Sequence, residues 1–176
     1  MIETYVFDCV CVWDLSEMIC VQVIKGHRDA VNALVLDPTD KYLVSGSSDR
    51  SIKVWRARNL EMNQKPRKND VVDENEKVNL NLWSLFCTLE GHEADVTSLV
   101  MISNGNLIFS GSADKTIRVW STVDFTHVLT LRGHEGTVRT MVLSADNKYL
   151  FSAGEDRSIR VWNFNTFLSM ENLDLY

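Results

Sequence analysis

The stretch GHEGTVRTMVLSADNKYLFSAGEDRSIRVW, Gly133 to Trp162, contains His134, Ser152 and Asp156, the three residue types of a hydrolase triad. Two other stretches align with it without a gap: GHRDAVNALVLDPTDKYLVSGSSDRSIKVW (26–55) and GHEADVTSLVMISNGNLIFSGSADKTIRVW (91–120). Each has 30 residues, and nine columns are identical in all three: Gly, His, Val, Val, Ser, Asp, Ile, Val and Trp. Self-similarity at a fixed spacing is the mark of a repeat architecture. Twelve residues separate Trp120 from Gly133 and Trp13 from Gly26, so the period is 42. Between Trp55 and Gly91 there are 35 residues, an insertion of 23.

Each unit reads as short strands. AVNALVL, DVTSLVM and TVRTMVL alternate apolar with polar or small residues. KYLVSGS, NLIFSGS and KYLFSAG follow the turn signals DPTD, SNG and SADN. SIKVW, TIRVW and SIRVW alternate again, and CVQVI, LFCTL and HVLTL precede the three Gly-His pairs. Four short strands per period and no helical periodicity predict an all-β chain of four-stranded antiparallel sheets.

The Gly-His pair, followed some 18 residues after the His by Ser-Gly-Ser-x-Asp-x-(Thr/Ser)-Ile-(Arg/Lys)-Val-Trp, resembles the WD-repeat (WD40) β-propeller family. The likeness covers roughly residues 10–175. The family's Asp after Trp stands only at Asp14; Arg56, Ser121 and Asn163 occupy the other three places. The resemblance implies blades at 26–90, 91–132 and 133–176, the first carrying an insertion at about 57–80, and a partial blade at 1–25. In the partial blade Glu3 and Phe7 stand where the motif has Ser and Asp, and only Trp13 is kept. Propellers close with 4–8 blades. About three and a half blades make an incomplete ring, most simply a piece of a longer seven-bladed protein. A truncated gene product and a ring closed by a second chain are the alternatives.

In the family, four side chains per blade form a hydrogen-bonded chain. The matching sets are Trp55, Ser45, His27 and Asp49; Trp120, Ser110, His92 and Asp114; and Trp162, Ser152, His134 and Asp156. The residue types suit such a relay. Indole N–H donates, hydroxyl does both, imidazole accepts on one nitrogen and donates on the other, and carboxylate accepts. A hydrolase needs one pocket, an oxyanion hole and an accessible nucleophile. Three copies at a fixed period without a GxSxG elbow do not fit that requirement. We therefore expect structural tetrads, no catalytic residues and no enzyme activity, with His127 a surface or rim histidine.

The family's partner-binding positions map to Ala30, Asn32 and Ser48; Asp95, Thr97 and Ala113; and Thr137, Arg139 and Glu155. Arg139 is the strongest candidate, because interface hot spots favour Trp, Tyr and Arg. The implied function is a protein-interaction scaffold for protein or peptide partners. A substrate receptor of a cullin-type ubiquitin ligase is the alternative: some members dock adaptors through Trp-Asp-x-Arg, and WRAR keeps Arg58 without the Asp.

Composition fits a folded globular chain that can bury a core. Hydrophobic residues make up 45% of the 176, and the net charge of −6 gives no support to a nucleic-acid surface. Cys9, Cys11, Cys20 and Cys87 form no CxxC pair, so neither a metal nor a cofactor is expected. Cys9 and Cys11 share a face if their segment is a strand, and half-buried free thiols are the expectation. No signal peptide or membrane-length apolar run is present, which predicts a cytoplasmic or nuclear protein. The insertion has a basic half (Arg56, Arg58, Lys65, Arg67, Lys68) and an acidic half (Asp70, Asp73, Glu74, Glu76), the composition of a solvated loop. KPRK within it could serve as a basic localisation patch, and the loop itself as a docking segment.

Overall fold

The computed structural model describes residues 8–58 and 82–164. Glu3, Phe7, nearly all of the insertion and residues 165–176 lie outside them. The described residues form thirteen strands and no helix, in four antiparallel sheets. The first is a hairpin of β1 (Cys9–Asp14) and β2 (Ile19–Lys25). The second runs β3 (Val31–Leu36), β4 (Tyr42–Ser47), β5 (Ile52–Ala57), β6 (Trp83–Leu89), each strand paired with the next. The third repeats this with β7 (Val96–Met101), β8 (Leu107–Ser112), β9 (Thr116–Ser121) and β10 (His127–Arg132). The fourth has β11 (Val138–Leu143), β12 (Tyr149–Gly154) and β13 (Ile159–Asn163). Ala57, at the expected start of the insertion, still pairs with Trp83.

Local sequence explains the hairpins. After each motif Asp, one residue turns into the left-handed region: Arg50 (φ 70°), Lys115 (φ 71°) and Arg157 (φ 63°). The turns joining the first two strands of each sheet place Asp40 (φ 57°), Gly105 (φ 77°) and Asn147 (φ 57°) there. Those are the residue types that tolerate it.

The sheets stack face to face, and β3, β7 and β11 lie side by side. Strand alternation sends successive side chains to opposite faces, and both faces of the second and third sheets are apolar because each of these meets a neighbour on either side. Val44, Ile52 and Val54 pack with Val96, Leu99, Ile108 and Trp120. Phe109, Ile117 and Val119 pack with Val138, Met141, Leu150 and Phe164. Val10 and Ile24 of the hairpin pack on Trp55. Gln22 fastens this joint: its amide nitrogen donates to the Trp83 carbonyl, and its amide oxygen accepts from the Trp83 N–H, both at 3.0 Å.

The stack is uncovered at its two ends. Ile159 and Val161 hold the positions of Ile117 and Val119, yet they are 75% and 58% exposed against 1% and 0%. At the other end the hairpin has no described inner strands, so Leu34 is 49% exposed where Leu99 and Met141 are buried. Trp13 is likewise exposed.

Two truncations at one repeat position separate these environments. Ile117→Ala should cost about 2–5 kcal/mol in urea unfolding, and Ile159→Ala less than about 0.5 kcal/mol. Equal losses would contradict the stacking.

Candidate functional site

The Gly-His segments link the last strand of one sheet to the first of the next, and each His reaches back into its own sheet. Trp55 Nε1 donates to Ser45 Oγ at 2.8 Å, Ser45 Oγ meets His27 Nε2 at 2.7 Å, and His27 Nδ1 meets Asp49 Oδ2 at 2.9 Å. The third sheet repeats this with Trp120, Ser110, His92 and Asp114 at 2.8, 2.7 and 2.7 Å. The fourth does so with Trp162, Ser152, His134 and Asp156 at 2.9, 2.7 and 2.7 Å. The nearest alternative acceptor for the serine hydroxyl is a carbonyl on the next strand, at 3.5 Å for Ser45 and 3.4 Å for Ser110. The short bond to Nε2 therefore takes the hydroxyl proton, and Nδ1–H donates to the carboxylate. The three hydroxyls are buried and already accept an indole N–H. A serine nucleophile has to meet substrate, and these do not reach solvent.

Each Asp carries more than its His. One oxygen also accepts the amide of the residue after the His: Arg28, Glu93 or Glu135. The other accepts the amide and hydroxyl of the residue two places on: Ser51, Thr116 or Ser158. Burial opposes ionisation of Asp49 and Asp114, but these bonds outweigh it and hold both well below the usual carboxylate range. At Asp156 the Glu135 amide and the Ser158 hydroxyl do the same. Burial holds His27 below the usual histidine value, outweighing its bond to Asp49. The glycine before the His is required by contact. Gly26 has φ +156°, and a Cβ there would lie 2.9 Å from the Trp55 ring.

A second hydroxyl supports two of the turns. Ser47 and Ser112 donate to the carbonyls of Asp29 and Ala94 and accept the amides of Asp49 and Asp114. Gly154 holds that place in the fourth sheet, opposite Gly136, whose added Cβ would lie 2.8 Å from the Asp156 amide. Two glycines thus let the turn close directly where a hydroxyl bridges it elsewhere. His127 is exposed, with its ring edge-on to Trp120 at 5.4 Å and Nε2 2.9 Å from Thr130 Oγ1.

The nine rim positions fall into two groups. The Ala30, Asp95 and Thr137 carbonyls accept the amides of Ser48, Ala113 and Glu155, each at 2.9 Å. Asn32 donates to the Val96 carbonyl of the next sheet and to Ser48, which in turn donates to Asp95. Thr97 donates to the Val138 carbonyl. Asn32 and Thr97 therefore staple neighbouring inner strands, a role the sequence reading missed. Arg139, in the same column, turns outward and pairs with Glu155, both side chains exposed.

At the opposite ends of these strands a cleft of about 200 Å³ lies between the second and third sheets, lined by Asp37, Lys41, Tyr42, Met101, Asn106 and Phe125. Beside it Tyr42, Phe86 and Phe125 form an aromatic trio with centroids 5.2–5.6 Å apart, and Arg56 caps Phe86. Phe125 adopts φ 58°, unusual for a bulky residue. Three distant segments build this cleft, and no local motif announces it. Among the described residues no His, Cys, Asp or Glu cluster could hold a metal ion, and no helix is long and apolar enough to cross a membrane.

The family model for the WD domain, G-beta repeat matches residues 18–56, 83–121 and 125–163, more than half of the chain. The chain belongs to the WD40 family. The matched WD40 repeats begin at or near the outermost strand of one sheet and end on the third strand of the next, so every sequence repeat straddles two sheets. Among curated proteins, the chain is 37% identical over 61% of its length to a CCR4-associated factor 4 homolog of Candida glabrata. It is 33% identical over 70% to Mitochondrial division protein 1 of Aspergillus oryzae, and 33% over 63% to Ribosome biogenesis protein YTM1 of Candida glabrata. The matches span 16%, 20% and 23% of those proteins, about a fifth of their length.

Ser110→Ala orphans two buried groups, Trp120 Nε1 and His92 Nε2, at about 1–3 kcal/mol each; chemical denaturation reads the loss. The pH dependence has a fixed sign. His27 and the three Asp groups have depressed values in the folded chain, so the unfolded chain takes up protons first, near pH 6.5 and again near 3.9. The melting temperature should fall as pH drops below about 6.5 and fall further below about 4. A flat or rising profile would contradict the assignment.

Proposed function

We propose that the chain is a protein-interaction scaffold in which stacked sheets hold a loop rim rigid for a protein or peptide partner. The observation that carries this is the division of polar groups. The Ser, His and Asp of each repeat are spent on internal cohesion, and Asn32, Ser48 and Thr97 on joining sheets. Arg139 and Glu155 remain presented to solvent. Membership of the WD40 family agrees with this reading, as does the name of the CCR4-associated relative. The rim on this reading comprises Ala30, Asn32, Ser48, Asp95, Thr97, Ala113, Thr137, Arg139 and Glu155, of which Asn32, Ser48 and Thr97 hold neighbouring sheets in place and Arg139 is the anchor for a partner. The proposed setting is the cytoplasm or nucleus, without nucleic-acid or membrane binding.

The aromatic cleft supports a second contact surface. Aromatic residues dominate interface energetics, and Phe125 adopts a backbone conformation that costs about 1–3 kcal/mol to hold. Nothing observed favours the ubiquitin-ligase alternative. Arg58 is exposed beside β6, and its amide donates to the Leu82 carbonyl. The uncovered end faces carry the apolar residues that neighbouring sheets bury inside the stack. We read them as covered by further blades of a longer protein, with a second copy as the alternative.

Affinity purification with quantitative mass spectrometry tests the scaffold. Arg139→Glu should deplete the captured partners at least about tenfold, the effect of losing roughly 1.4 kcal/mol at a hot spot, with the melting temperature unchanged. Tyr42→Ala tests the cleft separately, and Arg58→Ala the recovery of a cullin adaptor. Capture unaffected by both Arg139→Glu and Tyr42→Ala would remove both surfaces.

A further inference from the structure

The cleft between the second and third sheets holds a buried carboxylate with one oxygen to spare. Asp37, in the turn between β3 and β4, is only 8% exposed. Its Oδ2 closes the turn, accepting the Thr39 amide at 3.1 Å, the Thr39 hydroxyl and the Lys41 amide at 3.4 Å. Oδ1 has no hydrogen-bond donor among the described residues. It lies against Gly105 of the facing turn, where a Cβ would stand 2.8 Å from it. No cation pairs with Asp37 among the described residues, although buried carboxylates are as a rule paired. Lys41 and Arg56 are close in the fold, but both are exposed and screened by water, and Arg56 sits over the Phe86 ring at 5.9 Å. Tyr42, Met101 and Phe125 supply the apolar walls of the cleft. Asn106 joins the lining with its backbone amide bound to Asn104 and its side-chain amide without a partner among the described residues.

We propose that this cleft takes the arginine side chain of a partner protein, with the guanidinium donating to Asp37 Oδ1 and its plane against the Tyr42 or Phe125 ring. The proposal rests on the reading of the cleft as a second contact surface and names what that surface grips. An acidic side chain would meet the Asp37 carboxylate at close range. A purely apolar one would shut Oδ1 away from water without a donor, which costs free energy. A cation satisfies both the carboxylate and the ring faces. Arginine suits the cleft better than lysine. Its guanidinium is planar, weakly hydrated and carries five N–H donors, so that Asp37 Oδ1 and the Asn106 carbonyl oxygen can each take one while the plane stacks. The ammonium of lysine is a compact, strongly hydrated point charge with no plane to stack. Arg56 over Phe86 is the molecule's own example of a guanidinium held against this aromatic trio.

The test titrates Nα-acetyl-arginine amide into the ¹⁵N-labelled full chain and follows the backbone amide signals. The matching derivatives of lysine and citrulline are the controls, citrulline keeping the shape of arginine without its charge. The expected result is a set of shifts confined to the cleft, at Thr39, Lys41, Gly105 and Thr122. The arginine probe should bind at least about threefold tighter than the lysine probe and about tenfold tighter than the citrulline probe. Asp37→Asn, which keeps an oxygen for the turn, should weaken the arginine probe about tenfold. Phe125→Gly, which suits φ 58°, should weaken it at least about threefold. Where a variant's spectrum shows that it has not folded, the contrast between arginine and citrulline on the unaltered chain decides. Lysine or citrulline binding as tightly as arginine, shifts only outside the cleft, or no shifts at all would overturn the proposal. Failure of the arginine is separable from failure of the surface. Partners lost from the affinity capture with Tyr42→Ala but kept with Asp37→Asn would leave the contact surface standing and remove the arginine from it.

Discussion

The buried chain from indole to hydroxyl to imidazole to carboxylate is the constraint on which the architecture depends. Sheets of four short strands do not by themselves specify how one follows another. Here the connection between sheets is the Gly-His segment, and the histidine pins it to the second strand through serine, to the third through tryptophan and to the hairpin turn through aspartate. Each member has the donor and acceptor capacity its neighbours require, so the polar atoms are satisfied away from water. The relay thereby fixes the position of every first strand and the alignment of β3, β7 and β11.

Two further devices lock the stack. Apolar residues fill each gap between sheets from both sides, and Asn32 and Thr97 reach across to the carbonyl of the next inner strand. Where a part of this scheme is missing, the effect is local. Trp13 has no Ser or Asp counterpart in its hairpin and lies 58% exposed, while Trp55 and Trp120 are buried. Gly154 and Gly136 replace a hydroxyl bridge with direct contact, and the fourth sheet keeps its tetrad. Three of the residue types of a protease thus serve cohesion, because their order of donors and acceptors is useful wherever water is excluded.

Much of this was legible in the residues. Gly, His, Ser, Asp and Trp recur at one spacing, so the strands, the turns and the membership of each tetrad could be written down before any coordinates. What repetition could not reveal is whatever differs between repeats. Asn32, Thr97 and Arg139 share one column, yet two of them staple sheets and one faces solvent, a distinction set by whether a neighbouring sheet offers a carbonyl. Gln22 bridges to Trp83 across 61 residues. Phe86 and Phe125 meet Tyr42 only once two sheets stack. The register shift between Val12 and Trp13, which sets Cys20 against Trp13, leaves no mark in the local pattern, and Cys11 and Cys20 are exposed where half-buried thiols were expected, while Cys9 and Cys87 are half-buried.

The proton positions in the relay offer the most direct check. Long-range ¹H–¹⁵N correlation spectra of the histidine rings report which nitrogen carries the hydrogen. The account predicts a protonated Nδ1 and a bare Nε2 at His27, His92 and His134 near neutral pH, distinct from the exposed His127. Ring nitrogens of those three that average as in a free, solvent-exposed imidazole would contradict it.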